Sequence, residues 1–273
     1  MVTRFVRAFP PAQPSPGSHL SVIFYGDKLL LQTSEGTLHL PIGITNEFGM
    51  TNLEPVYLGT FDGTQVIAAQ LPDQSVLPAD VEALTLRDAY GSVDEEQYSL
   101  AGYASQILHW RRTSLFCPVC GSQTADREGD WGRDCAKCGH VGYPRVSPAT
   151  LILIHDSDKI LLAHKPGWGP RYSILAGFVE PGESLEDCVH REVMEEVAID
   201  VDSLTYAGCQ PWPYPHQLMI GFTARYRGGN LAVDGVELDD AQWFNIDNLP
   251  DLPPPVSLSR QMIDRWLAER KTQ

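Results

Sequence analysis

The sequence has few basic residues and no long apolar segment, and each absence excludes a class of protein. Only 20 lysines and arginines stand against 35 aspartates and glutamates in 273 residues, so the formal net charge is −15. A broad, nonspecific nucleic-acid surface is basic, so this balance argues against one and leaves only a local basic pocket open. No apolar run approaches the roughly 18 to 20 residues that cross a bilayer, and the N-terminus lacks the apolar region of a signal peptide. We therefore expect a cytoplasmic protein with no membrane partner.

Cysteine is also scarce, and the six cysteines do not form the pattern of a secreted disulfide framework. Four of them fall in "CPVC" and "CAKC", which gives the spacing C-x2-C-x14-C-x2-C. Two such turns supply four thiolates to one tetrahedral zinc ion, and a shell closed by four cysteines predicts a structural site rather than a catalytic one. A redox dithiol is the alternative. The predicted zinc ligands are Cys117, Cys120, Cys135 and Cys138.

The order of patterns along the chain predicts an α+β protein with three parts. Residues 1–112 form a β-rich domain with a closing helix, since strand-like runs alternate with Gly-Asp, Glu-Gly and Asp-Gly turns. Residues 113–146 contain the cysteines. Residues 147–273 mix strands with helices near 185–197 and 257–271, and the sequence shows no internal repeat.

The segment "REVMEEVAID" places three glutamates within five positions. Ser184 resembles an N-cap, so the helix should begin near Leu185. The glutamates then stand at i, i+3 and i+4 on one part of the helix surface, where Mg2+ or Mn2+ could join them to substrate phosphates. A solvated acidic face is the alternative, although it would normally carry more interleaved basic residues than Arg191. The helix alone leaves both interpretations open.

Residues 177–199, "GFVEPGESLEDCVHREVMEEVAI", resemble the Nudix box, G-x5-E-x7-R-E-U-x-E-E-x-G-U, where U is aliphatic. Ala198 departs from the motif, which has glycine there, and we expect some strain at the end of the helix. The resemblance implies an α/β/α sandwich with a mixed sheet and metal-dependent cleavage of a nucleoside diphosphate linked to another group. It also implies that Arg191 pairs with Glu183 and that Glu196 is the general base. The residues that would hold Mg2+ or Mn2+ are Glu192, Glu195 and Glu196.

A second stretch, "CQPWPYPHQ", is similar to the SQPWPFPxS signature of NADH pyrophosphatases, the Nudix branch that also removes NAD caps from RNA. Cys209 and Gln217 replace serines. A Pro-rich surface loop is the simpler interpretation. The branch also has a zinc ribbon before its Nudix domain and implies a homodimer and a further metal ligand at Glu237. The substrate contacts implied are Gln210, Trp212, Pro213, Tyr214, Pro215, Phe178, Tyr143, Asp130 and Ser259, with Trp212 and Phe178 around the nicotinamide ring.

Together these patterns favour an enzyme that hydrolyses NAD(H) to NMN(H) and AMP and removes NAD caps from RNA. One alternative is a binding module that has lost hydrolysis, but the complete set of glutamates argues against it. Another is a Nudix hydrolase of ADP-ribose or diadenosine polyphosphates. The "QPWPYP" stretch discriminates between these substrates because it lies outside the catalytic box, and the substitutions at Cys209 and Gln217 leave the alternative open.

Overall fold

The computed structural model describes residues 4–43, 55–72 and 77–271. The chain forms two compact units, Met1–Arg145 and Val146–Gln273. The predicted α+β class is confirmed, with a β-rich N-terminal region, a small cysteine-bearing sheet and a C-terminal mixed sheet between helices. The boundaries at 112 and 146 stay a prediction, and the cysteine-bearing part belongs to the first unit. Within the described residues, no helix has the length and apolar character that crossing a membrane requires.

The first unit is built on a seven-stranded sheet with the order β1-β5-β6-β2-β3-β4, and β7 pairs with β3. The three predicted hairpin turns are confirmed, because Gly-Asp joins β2 to β3, Glu-Gly joins β3 to β4 and Asp-Gly joins β5 to β6. The strands are β1 (Phe5–Arg7), β2 (His19–Tyr25), β3 (Lys28–Ser34), β4 (Thr37–His39), β5 (Val56–Phe61), β6 (Thr64–Leu71) and β7 (Val81–Thr85).

Helix α1 (Glu95–Thr113) closes this unit and leads into the ribbon. Asp94 caps the helix, since its side chain accepts hydrogen bonds from two backbone N–H groups of the first turn. The ribbon is a three-stranded sheet, and the indole Nε1 of Trp110 in α1 donates to the carbonyl of Trp131 within it at 2.8 Å. Its strands are β8 (Ala125–Asp126), β9 (Arg133–Asp134) and β10 (Val141–Gly142).

The second unit is a mixed sheet with the order β14-β15-β11-β12-β16, in which β11 and β15 are parallel and β13 pairs with β11. Side chains alternate between the two faces of a strand. Ile152 and Ile154 therefore pack on the side of α2, and Leu151 and Leu153 pack on the side of α3. The elements are β11 (Ser147–Asp156), β12 (Lys159–His164), β13 (Leu175–Phe178), α2 (Leu185–Val197), β14 (Ile199–Trp212), β15 (Gln217–Gly229), β16 (Asp240–Asn245) and α3 (Leu258–Lys271).

The two sheets share one topology, although the sequence shows no repeat. In the first unit β2 forms a hairpin with β3 and pairs in parallel with β6, which in turn pairs with β5. In the second unit β11 likewise forms a hairpin with β12 and pairs in parallel with β15, which pairs with β14. Each unit ends with a strand antiparallel to the second strand of its hairpin, β7 or β16, and then with a helix. The two units therefore share a strand order without a sequence repeat, because strand order depends on hydrophobic period and on turns that different side chains can supply.

Helix α2 begins and ends where the sequence predicts. The hydroxyl of Ser184 accepts a hydrogen bond from the backbone N–H of Asp187 at 3.1 Å. At the other end Ala198 adopts a left-handed conformation, with φ 56° and ψ 33°, and its N–H donates to the carbonyl of Met194. An L-residue with a Cβ pays about 1–2 kcal/mol in this region, so the expected strain at Ala198 is present.

We expect Ala198→Gly to stabilise the protein. Glycine adopts the left-handed conformation without a steric penalty, which should raise the free energy of unfolding by about 1 kcal/mol. The measurement is urea denaturation followed by circular dichroism. Ala268→Gly is the matched control, because Ala268 is also exposed but lies inside helix α3, where glycine should cost about 1 kcal/mol. Equal destabilisation by both changes would contradict the assignment.

Candidate active site

Arg191 lies at the centre of the glutamates on α2. Its Nε and Nη2 donate to the two carboxylate oxygens of Glu183 at 2.7 and 2.9 Å, so the predicted pair is present. Its Nη1 donates to Glu192 at 2.7 Å and to Glu195 at 2.9 Å. The guanidinium holds the pKa of Glu183 down to about 2. Arg191 also donates to the carbonyl of Phe178 at 2.9 Å, so it fastens the helix to the end of β13.

Glu192 lies directly against the backbone of β13. A Cβ built on Gly177 would stand 1.7 Å from the carboxyl carbon of Glu192, so only glycine leaves room for this side chain. Burial is the main cause that raises the pKa of Glu192 above its usual value. The first glycine of the box therefore has a steric function, because it lets a carboxylate reach the strand.

Glu196 is the most deeply buried acid of the cluster, with 3% of its side chain exposed. Its Oε1 lies 3.3 Å from Nζ of Lys165, and its Oε2 is buried without a hydrogen-bond partner among the described residues. Burial raises the pKa of Glu196 to about 7. Glu237 is largely exposed and reaches the same ammonium group from the other side, at 3.4 Å.

This arrangement fits a divalent cation. A buried carboxylate oxygen without a partner is costly unless a cation or donor satisfies it, and hard divalent ions bind oxygen ligands. The structure brings Glu237 and Glu196 together around one ammonium group, and it places Glu192 and Glu195 on one guanidinium. Sequence reasoning missed Lys165. Its local signal is its place at the end of the apolar run "ILLAHK", directly before "PGWGP".

The "QPWPYP" stretch forms the tip of a hairpin rather than a loop. β14 continues through Trp212, which pairs with Gln217 of β15. The rings of Trp212 and Tyr214 meet edge to face, with centroids 4.9 Å apart, and Pro213 and Pro215 lie in the turn. The prolines are tolerated because one lies next to the last residue of β14, an edge strand of the sheet, and the other two lie in the turn.

Gln210 and Ser259 are used within the protein. The side-chain amide of Gln210 donates to the carbonyl of Val256 and accepts from the N–H of Leu258, both at 2.8 Å. This links β14 to the first residue of α3. Ser259 is buried, and its hydroxyl donates to the hydroxyl of Ser257 at 3.1 Å.

Phe178 is half exposed at the end of β13. The register places it on one row with Ala149, Met219 and Gln210, across four strands. Phe178 and the tip that carries Trp212 are therefore about three strand spacings, or roughly 14 Å, apart.

In the first unit, Asp130 and Tyr143 meet around Gly132. A carboxylate oxygen of Asp130 accepts from the N–H of Gly132 at 2.6 Å. A Cβ on Gly132 would stand 2.7 Å from that oxygen and 3.1 Å from the ring of Tyr143. The two residues implied as substrate contacts are thus neighbours.

The four clustered cysteines form two matching turns. In each, the backbone N–H of the glycine after the second cysteine donates to the carbonyl of the first, at 2.9 Å. All four Sγ atoms lie within 4.8 Å of one another. Hydrogen bonds from Ser122 lower the pKa of Cys120 to about 6. Four convergent sulfur ligands fit one tetrahedral zinc ion, which would complete the ribbon's fold.

We expect the protein to contain about one zinc ion per chain and Cys117→Ser to lose it. The buried Cys117 is one of four ligands, so its loss opens the shell and should expose the ribbon to proteolysis. Zinc content by mass spectrometry and limited proteolysis measure the two effects. Cys209→Ser is the control, since Cys209 lies outside the cluster. Full zinc content in Cys117→Ser would contradict the assignment.

Three family models match consecutive parts of the chain. They are the NADH pyrophosphatase-like rudimentary NUDIX domain at residues 18–110, the NADH pyrophosphatase zinc ribbon domain at 112–143 and the NUDIX domain at 145–267. The first of these agrees with the shared topology of the two sheets.

Known proteins give the same result. The NAD-capped RNA hydrolase NudC of Stutzerimonas stutzeri is 45% identical over 217 residues, which cover 78% of this chain and 77% of the relative. The protein of that name from Chromobacterium violaceum is 40% identical over 256 residues, which cover 93% of this chain and 94% of the relative. In structure, a Nudix hydrolase from Nitrosomonas europaea has a TM-score of 0.50 at 24% identity, covers 57% of this chain and 92% of its own, and supports the fold alone. The chain therefore belongs to the Nudix hydrolase family, within the group of NADH pyrophosphatase-like proteins that carry a zinc ribbon.

Proposed function

We propose that the protein hydrolyses the pyrophosphate bond of NAD(H), giving NMN(H) and AMP, and removes the NAD cap from RNA 5′ ends, giving NMN and 5′-monophosphate RNA. The observation that carries the proposal is the buried carboxylate of Glu196, which lies in the Nudix box with one oxygen unpartnered among the described residues. A site that stores an unsatisfied carboxylate in the interior is built for a cation. The names and the 40–45% identity of the relatives support the NAD-derived substrate.

The residues have distinct roles in this proposal. Glu192, Glu195, Glu196 and Glu237 hold the divalent ions, which are Mg2+ or Mn2+. When bound, these ions neutralise phosphate charge and lower the pKa of water. Glu196 takes the proton of the attacking water, the role that the resemblance to the Nudix box implies for it. Arg191 and Glu183 position the helix against β13 and do not touch the reacting atoms.

The hairpin tip supplies the selectivity for NAD. Trp212 and Tyr214 offer a rigid aromatic corner, and stacking on such a surface suits a nicotinamide or adenine ring. Phe178 lies too far across the sheet to share a ring with Trp212 of the same chain. A sandwich by both residues therefore requires the tip of a second chain, which supports a homodimer. Gln210 and Ser259 support the tip and α3 from within, and Pro213 and Pro215 shape the turn.

The remaining parts of the proposal concern the rest of the chain. Asp130 and Tyr143, which meet over Gly132, contribute a substrate contact from the ribbon. The zinc ion is structural. The domains are residues 1–112, 113–146 and 147–273, and the protein works in the cytoplasm. Hydrolysis of another nucleoside diphosphate derivative such as ADP-ribose is the alternative, and the substrate comparison below separates the two.

We expect the protein with Mn2+ to cleave NADH and 5′-NAD-capped RNA in preference to ADP-ribose, with release of NMN(H). Glu196→Gln should lower kcat by roughly 100-fold or more, because it removes the proposed base and a metal ligand together. The measurement is product formation by chromatography. Glu186→Gln, an exposed acid in the first turn of the same helix, is the control and should retain activity. ADP-ribose cleaved faster than both NAD substrates would sink the proposal, and so would an active Glu196→Gln.

We expect Trp212→Ala to raise the KM for NADH by about tenfold, the loss associated with one stacked base. The KM for ADP-ribose should change little, because this substrate has no nicotinamide ring. Steady-state kinetics on both substrates measure the difference. Tyr206→Ala, an exposed aromatic on the same strand, controls for a general effect on β14. An equal increase in KM for NADH and for ADP-ribose would show that Trp212 does not contact nicotinamide.

A further inference from the structure

Lys165 stands apart from the residues that the Nudix box explains. It follows β12, outside the box and outside the "QPWPYP" stretch, yet its ammonium group lies 3.3 Å from Glu196 and 3.4 Å from Glu237. These are two of the four carboxylates assigned to the metal. Its side chain is 27% exposed, so the ion pairs are only partly screened by water.

The surrounding contacts hold Lys165 in this position. The imidazole of the preceding residue, His164, bonds through Nε2 to the carbonyl of Gly169 at 2.5 Å and through Nδ1 to Asp239. The carbonyl of Lys165 accepts from the N–H of Trp168 at 3.1 Å, which closes a turn. Because Asp239 follows Glu237 by two residues, the same contacts fix the lysine backbone relative to one of its carboxylate partners.

The acids of the site are divided between two cations. Arg191 binds Glu183, Glu192 and Glu195, and its further bond to a backbone carbonyl of β13 anchors α2 to that strand. Lys165 binds Glu196 and Glu237, which have no such anchoring role among the described contacts. An ammonium group between two carboxylates at these distances satisfies the same charges that a divalent ion would satisfy.

We propose that Lys165 is the internal counter-ion of the metal-free site and that a divalent ion must displace it from Glu196 and Glu237 in order to bind. Lys165 therefore weakens metal binding and stabilises the protein when no metal is present. This inference rests on the proposed function, because it assumes that the carboxylates bind metal. It assigns to Lys165 a charge-balancing role that the box residues do not provide.

The test compares Mn2+ affinity in Lys165→Met and wild type. Zinc-loaded protein, freed of loosely bound ions by gel filtration, is titrated with Mn2+ and no nucleotide, and free Mn2+ is followed by electron paramagnetic resonance. We expect Lys165→Met to bind Mn2+ about fivefold more tightly or better, since an ion pair no longer has to be broken. Without Mn2+, the melting temperature of Lys165→Met should be lower than that of wild type. Addition of Mn2+ should raise the melting temperature of the variant by more than that of wild type.

Two variants separate local competition from general charge effects. Lys159→Met removes the same single charge from the exposed start of β12 and should shift the affinity by no more than about twofold, as expected for a screened distant charge. Lys165→Arg keeps the charge and should bind Mn2+ much as wild type does. Mn2+ affinity in Lys165→Met that is unchanged or weaker would overturn the proposal, and so would a tightening matched by Lys159→Met.

A fourth variant distinguishes failure of this inference from failure of the proposed function. Glu196→Gln should weaken Mn2+ binding if the carboxylate cluster is the metal site. If it does, and Lys165→Met still shows no gain, only the counter-ion role is wrong. If Glu196→Gln leaves Mn2+ binding unchanged, the metal site itself is wrong, and the role of Lys165 falls with it.

Discussion

Repulsion between carboxylates is the constraint on which the second unit depends. Two unit charges 4 Å apart interact by about 4 kcal/mol near a protein surface, and α2 gathers several of them on one side. The chain meets this cost with two cations. Arg191 pairs with Glu183, Glu192 and Glu195. Lys165 pairs with Glu196 and Glu237. Helix position, strand approach and metal affinity are therefore consequences of one charge balance.

The shared topology of the two sheets shows that the strand order does not require the cluster of acids and its two cations. The first unit repeats the strand order of the second, but the sequence joining β4 to β5 contains only two acids between residues 40 and 55, Glu47 and Glu54, and no Nudix box. The same sheet topology thus occurs with and without a Nudix box, and chemistry follows from side chains placed on one copy.

Much of the second unit could be predicted because its signals are local. Ser184 and the apolar positions at four-residue steps specify α2 to the residue, and the Asp-Ser-Asp turn specifies the β11–β12 hairpin. The parallel pairing of β11 with β15 could not be derived from the residues alone, since it joins strands that are far apart in sequence. The site shows the same division. The glutamates follow from helical spacing, whereas Lys165 reaches them only through tertiary folding. Gln210 looked like a substrate contact by resemblance, but its amide is occupied by backbone groups near α3.

The bonds made by Gln210 change the meaning of the signature that contains it. The amide nitrogen and the amide oxygen both form hydrogen bonds with the backbone of the segment where α3 begins. The position therefore requires a side chain that can donate to one backbone group and accept from another. An aspartate or asparagine is too short, and a glutamate lacks the donor. A signature of this kind identifies proteins that hold a hairpin tip and a C-terminal helix in one relation. The glutamine therefore reports on the fold, and its presence alone does not specify a ligand.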